Sequence, residues 1–224
     1  MGHPMFGKAM MCDCLKSVLD EQRAQEVETM SALEPFVDWS FANFDQSVPG
    51  VADAYRIALE FARDPHGWLV LQGRCGCGKT HLAAAIANER IRLGSHVLFA
   101  VVPDLLDHLR STFAPNSPIQ YDERFESVRT TEVLVLDDLG TESATSWAQE
   151  KLFQIINYRY NYRFPTVITT NRDLSSLDQR IESRIGDRVL SRIVEVAAKD
   201  YRPRQAGQRR PGTPGRPALN QRRA

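Results

Sequence analysis

The sequence predicts an α/β fold in which a parallel sheet is covered by helices on both faces. Two observations predict it. Five short apolar runs, Trp68–Gln72, 96–102, 132–136, Thr166–Thr170 and 193–197, are separated by helical patterns at 81–93, 103–113, 121–129 and 147–162. Strands that alternate with helices give crossover units, and crossover units give parallel sheets buried on both sides. The first run also leads directly into a glycine-rich octet, GRCGCGKT at residues 73–80, and then into a segment rich in good helix formers, HLAAAIANERIR.

Taken in order, residues 36–67 form an approach segment and a helix. VADAYRIALEFAR at 51–63 carries apolar residues at helical spacing, and Asp64-Pro65-His66-Gly67 stops it. The octet that follows WLVLQ has two glycines four residues apart, then lysine and a hydroxyl side chain, the pattern of a phosphate-binding loop. Polyphosphate needs each part. Glycines let the loop curl so that backbone N–H groups point inward. Lys79 brings a point charge to the terminal phosphates, and the Thr80 hydroxyl is a ligand for Mg²⁺. The expected nucleotide contacts are Gly73, Gly76, Cys77, Gly78, Lys79, Thr80 and His81.

The third apolar run ends in two carboxylates, VLVLDD at 133–138. A strand end in a parallel sheet faces the crevice where ligands bind. Asp137 is the candidate metal ligand beside Thr80, and Asp138 is the candidate that orients and polarises an attacking water. The fourth run ends Thr169-Thr170-Asn171. If its strand lies between the loop strand and the acid strand, Asn171 reaches the same crevice; otherwise it opens a turn, a common use of Asn. Arg180, Arg184, Arg188 and Arg192 recur every fourth residue, which stacks them on one helical stripe. That stripe is either a solvated face or a source of charge for a neighbouring subunit's nucleotide.

The 224 residues suffice for one domain with extensions. Formal charge is zero, with 28 basic and 28 acidic residues, but the balance is uneven. Residues 202–224 hold seven arginines, four prolines and no acid, the composition of a disordered basic tail suited to contacting nucleic acid. Residues 1–34 read as a helical piece, packed on its own domain or docking a partner, with a boundary at Pro35. No secretory leader and no stretch long enough to span a bilayer are visible. The cysteines fall in two Cys-x-Cys pairs, Cys12/Cys14 and Cys75/Cys77, without zinc spacing, so a reducing, cytoplasmic setting is expected, with no membrane partner. YRYNYRF at 158–164 interleaves aromatics with arginine. Such a mixture can stack bases, but the commoner use is a helix end whose aromatics reach the core, and that use is expected here.

These stretches together resemble the AAA+ ATPases of the bacterial helicase-loader family, the DnaC/DnaI type, which includes the IstB-like transposition helpers. Residues 73–80, 133–140 (VLVLDDLG), 167–171 (VITTN) and 180–184 (RIESR), with Asp200-Tyr201-Arg202 closing the domain, carry the resemblance across about residues 36–202. It implies a P-loop NTPase with a five-stranded parallel sheet of order 5-1-4-3-2 and, as in loaders, no C-terminal helical lid. It implies a Mg²⁺-dependent ATPase domain over 35–201, with Asn171 as sensor and Arg184 as the finger given to the next subunit. Arg192, in a second Ser-Arg-Ile triplet, competes for the finger role. The implied partners are a replicative DNA helicase or a transposase, single-stranded DNA, and further copies of the chain with nucleotide at the junction. Loader relatives place a DNA-contacting insertion where 103–129 could hold two helices. A small-molecule kinase would need an arginine-rich substrate lid over the sheet, whereas these arginines follow the fourth strand; a nucleotide-gated module with negligible turnover is the other alternative.

Overall fold

The computed structural model describes residues 29–111, 121–142 and 145–200. Five strands, β1 (Trp68–Gln72), β2 (Val97–Val101), β3 (Val133–Leu139), β4 (Thr166–Thr170) and β5 (Ser191–Glu195), form one sheet of order β2-β3-β4-β1-β5. Every neighbouring pair is parallel, so β4 lies between the loop strand and the acid strand. The helices are α1 (Ala52–Arg63), α2 (Lys79–Arg92), α3 (Val102–Ser111), α4 (Tyr121–Thr130), α5 (Ser146–Tyr162) and α6 (Gln179–Ile185).

The apolar runs are continuous because the inner strands are buried on both faces, and the period of two divides them between two cores. Leu69 and Leu71 of β1 join Val133 and Val135 of β3 under α1 and α2. Trp68 and Val70 join Leu134 and Leu136 under α3, α4, α5 and α6. On α2, Ala83, Ala84, Ala85 and Ala87 are all buried, and their small side chains let the helix lie close to the sheet.

The edges are finished differently. Beside β2, the Ala32 N–H donates to the Phe99 carbonyl at 2.8 Å, and the ring of Phe36 sits 5.4 Å from that of Phe99. Leu33, on the far side of Pro35, is buried in the same core as α1. The rest of the predicted amino-terminal segment, the Cys12/Cys14 pair and the 202–224 tail lie outside the described residues, as does the C-terminal region where the lid was expected to be absent. Strand β5 is an edge on which Arg192, Ile193 and Glu195 are exposed, and it lies two residues earlier than the 193–197 run predicts. The Asp187 carbonyl accepts from Leu190 and Ser191 N–H at 3.1 and 2.8 Å, and this turn sets Ser191 opposite Trp68. Hydropathy misplaced the limits because Arg192 and Ile193, both within the strand, face solvent.

Two other expectations are corrected. The arginine stripe does not exist as one helix: α6 ends before Gly186, Arg188 lies in the following turn and Arg192 stands on β5, paired with Glu60 at 3.0 Å. The aromatics of 158–164 do not all reach the core, since Tyr162 is 62% exposed. The side chain that goes fully inside is Arg159.

Candidate functional site

The loop between β1 and α2 turns on glycines in the left-handed region, Gly76 at φ +77° and Gly78 at φ +102°. A side chain at Gly78 would be strained and would also press on Phe44, whose ring lies 3.1 Å from where its Cβ would stand. Gly78 caps α2 without a side-chain hydrogen bond, so the first-turn N–H groups have no side-chain acceptor at the cap. Such an end suits an anion. Lys79 is buried, and its Nζ donates to the carbonyls of Gly73 and Arg74, both at 2.9 Å. Its ammonium therefore sits within the curl of the loop, with Cys77 Sγ 3.9 Å away.

Across the crevice, the β3–β4 register shifts between Leu136 and Leu139. The irregularity falls on the two acids and extends β3 beyond the end its apolar run predicts. Asp138 adopts φ +58°, uncommon outside glycine, and such strain persists only where surroundings enforce it. Thr169 of β4 enforces it here: its Oγ1 accepts from the Asp138 N–H at 3.0 Å and donates to Asp137 Oδ1 at 2.6 Å. Asp137 is 2% exposed, and burial raises its carboxyl pKa above the ordinary value, opposed by hydrogen bonds from Thr169 and Thr80 and by the Lys79 charge. A hydroxyl and a carboxylate thus stand side by side at a strand end, a donor pair of hard oxygens that fits Mg²⁺.

Asn171 follows β4, and its Nδ2 lies 3.2 Å from Cys75 Sγ on the loop. A cavity of about 340 Å³ is lined by the loop from Cys75 to His81, Asp138 and Asn171. Its far wall is a segment that the motif reading passed over: Trp39, Asn43, Phe44, Asp45, Val48 and Val51. The fastening of that wall is His81. Its ring stacks on Trp39 at 5.0 Å and meets Phe44 edge-on at 5.1 Å, and its Nε2–H faces the Ser40 carbonyl and Asn43 Oδ1 at 3.2 and 3.1 Å. Burial lowers the His81 pKa, partly offset by the Ser40 carbonyl, so the ring is neutral at pH 7. The aromatic density of DWSFANF was the available signal for this wall. For Thr169 the signal was a polar residue inside a buried strand.

Arg184 is not part of the cavity lining. It lies on α6, where Nε donates to Asn157 Oδ1 at 3.2 Å and the guanidinium sits 5.3 Å from the Phe153 ring centre. Arg180 is held nearby, 3.1 Å from Glu150 and 4.3 Å over Phe153.

A parallel sheet of this order, a glycine loop holding a buried lysine, and paired acids on the neighbouring strand but one agree with what comparison of the whole sequence finds. The profile of the IstB-like ATP binding proteins matches residues 9–208. The chain belongs to that family. It is similar to the replicative helicase loader DnaC of Escherichia coli (strain K12), 27% identical over 176 residues that cover 75% of this chain and 71% of the relative. It is also similar to the replicative helicase loader DnaI of Bacillus subtilis (strain 168), 27% identical over 200 residues, 82% of this chain and 63% of that one. The crystal structure of the DnaC helicase loader superposes with a TM-score of 0.63 at 26% identity, covering 71% of this chain and 97% of that chain. As an IstB-like protein, the chain carries the ATP-binding P-loop fold of the AAA+ class, with the strand order the resemblance implied. Among the described residues no helix is long and apolar enough to cross a membrane.

Proposed function

We propose that this protein binds and hydrolyses ATP with Mg²⁺ in the crevice between the loop and the paired acids, and that the cycle serves loading or remodelling of a replicative DNA helicase on single-stranded DNA. The observation that carries the reading is the convergence of Lys79, Thr80, Asp138 and Asn171 on one cavity, with Asp137 directly behind it. Lys79 and the N–H groups of the loop grip the phosphates. Thr80 and Asp137 hold the metal, whose chemistry when bound is to neutralise phosphate charge. Asp138 orients a water and takes up its proton at the carboxylate, and Asn171 holds the water or the terminal phosphate by its amide. Gly73, Gly76 and Gly78 let the backbone approach, Cys77 packs beneath it, and His81 with Trp39 and Phe44 offers apolar ring surface to the base.

Arg184 lies away from its own chain's cavity, which supports its use as a finger on a neighbouring copy in a homo-oligomer. Arg192 is already engaged by Glu60, which makes it the weaker finger. The helicase client is favoured by the relatives named as replicative helicase loaders. A transposase client is the second reading, favoured by the IstB-like profile. Lys79→Ala removes the ammonium from the loop and should weaken ATP affinity by about two orders of magnitude, measured by titration with a fluorescent ATP analogue. ATP hydrolysis at the wild-type rate in that variant would reject the assignment. Affinity capture with ATP present, probed for a replicative helicase and for a transposase, decides the client.

A further inference from the structure

At the end of the sheet opposite the nucleotide cavity, α5 stops on a cluster of aromatic rings of which Tyr162 is exposed. Tyr158 and Tyr162, one helical turn apart, have ring centres 4.5 Å from each other. The chain then reverses through Arg163 at φ +55° and brings Phe164 back beside them, 6.0 Å from Tyr162 with ring planes 19° apart and 6.2 Å from Tyr158. Tyr162 is 62% exposed and rests on the half-buried rings of Tyr158 and Phe164, which hold it in one place at the surface. The Arg129 guanidinium lies 4.4 Å over Tyr158 with its charge balanced by Glu126, so the cation presented beside Tyr162 is Arg163, exposed at the turn. The platform is also rigid, because Arg159 beneath it lies 5.4 Å from the Phe164 ring and ties down the adjoining Pro165 carbonyl.

We propose that Tyr162, seated against Tyr158 and Phe164, is a stacking platform for the bases of single-stranded DNA, with Arg163 contacting the backbone. Every base has a π-face, so rings with guanidinium groups alongside bind single strands with little sequence preference. An apolar peptide would gain nothing from the exposed Arg163, whereas a phosphodiester strand matches it in charge. The choice of occupant rests on the reading that the protein works on single-stranded DNA; the platform itself does not depend on the nucleotide site.

The test is fluorescence anisotropy of a labelled oligo-dT strand titrated with the full chain. Tyr162→Ala should weaken binding about tenfold, and Tyr162→Trp should restore it, because the ring and not the hydroxyl does the stacking. Phe164→Ala should act in the same direction. Arg163→Ala should lower the slope of log affinity against log salt by about 0.7, the share of one single-strand phosphate. ATP affinity should be unchanged in all four variants. Equal oligonucleotide affinity in Tyr162→Ala overturns the proposal, and if that variant instead loses capture of the helicase the surface belongs to a protein partner. Failure of the wild-type chain to bind the strand, with ATP binding intact, sinks the platform alone. Loss of ATP binding in the wild type would sink the nucleotide reading and not this one.

Discussion

Two buried polar groups stand at opposite ends of this sheet, and they are treated in opposite ways. At the amino-terminal end, Arg159 is wholly enclosed, and each of its three nitrogens has an acceptor. Nε donates to Thr166 Oγ1, one terminal nitrogen to the carbonyls of Arg129 and Thr131, and the other to that of Pro165, at 2.6 to 3.1 Å. Burial pushes its pKa down to about 9, which leaves it charged at neutral pH. It joins the end of α4, the approach to β3, the start of β4 and its own helix. At the carboxyl-terminal end, Asp137 is nearly as deep, yet it has hydroxyl partners only and a raised pKa. Beside it are a left-handed Asp138 and glycines held in positive φ. A charge whose every nitrogen is bonded to the fold is a structural clamp. A charge left short of donors, beside strained backbone, is held ready for something the chain does not itself supply.

That contrast can be broken by experiment. The largest effect should come at the strained end: Asp138→Asn should lower ATP turnover about 10²–10⁴-fold while ATP affinity and the unfolding midpoint stay near wild type, read by steady-state hydrolysis and urea denaturation. Unchanged turnover would mean that the strained acid has no chemical role. The clamp should show the reverse pattern. Arg159→Met takes the guanidinium donor from the Arg129 and Thr131 carbonyls and the Thr166 hydroxyl, while the Pro165 carbonyl keeps the Leu134 N–H, and should cost about 3–5 kcal/mol, measured by urea unfolding, a loss felt by the whole domain.

The smallest effect concerns the wall of the cavity. His81 has a lowered pKa when folded, so its contribution is fully present above the unfolded value of 6.5. Below pH 6.5 the unfolded chain binds the proton first, and stability declines until the pH has fallen past the lower folded value. The Trp39 and Phe44 contacts should loosen over the same window. His81→Gln keeps a hydrogen-bond donor but does not titrate, so its urea midpoint should lose this part of the pH dependence. An unaltered profile in that variant would show that the wall is not fastened through the imidazole.

Most of the fold could be read from the chain because the inner strands are buried on both sides. Their hydrophobicity is continuous, and two of the five, Trp68–Gln72 and Thr166–Thr170, were read at their observed limits. The limits differ at β5, where Arg192, Ile193 and Glu195 all meet water and no alternation marks the strand. They differ also at β3, whose apolar run is interrupted by Asp137 and Asp138 before the strand ends at Leu139. The arginine stripe failed because a four-residue spacing is helical only where a helix continues, and Gly186 with the Asp187 turn ends it.

What the amino-acid sequence determined by itself is the local chemistry: a glycine loop that can curl, a lysine inside it, acids at a strand end and the alternation that makes the sheet parallel. These are properties of short stretches, set by backbone freedom and by which side chains avoid water. Tertiary structure alone decided that Thr169 would aim both aspartates, that Trp39 and Phe44 would close the cavity, that Arg184 would stand away from it, and that Arg159 rather than its aromatic neighbours would take the interior. Each of these depends on residues far apart in the chain meeting across packed elements. The energy of such a meeting comes from what surrounds the pair, and no window of local sequence contains it.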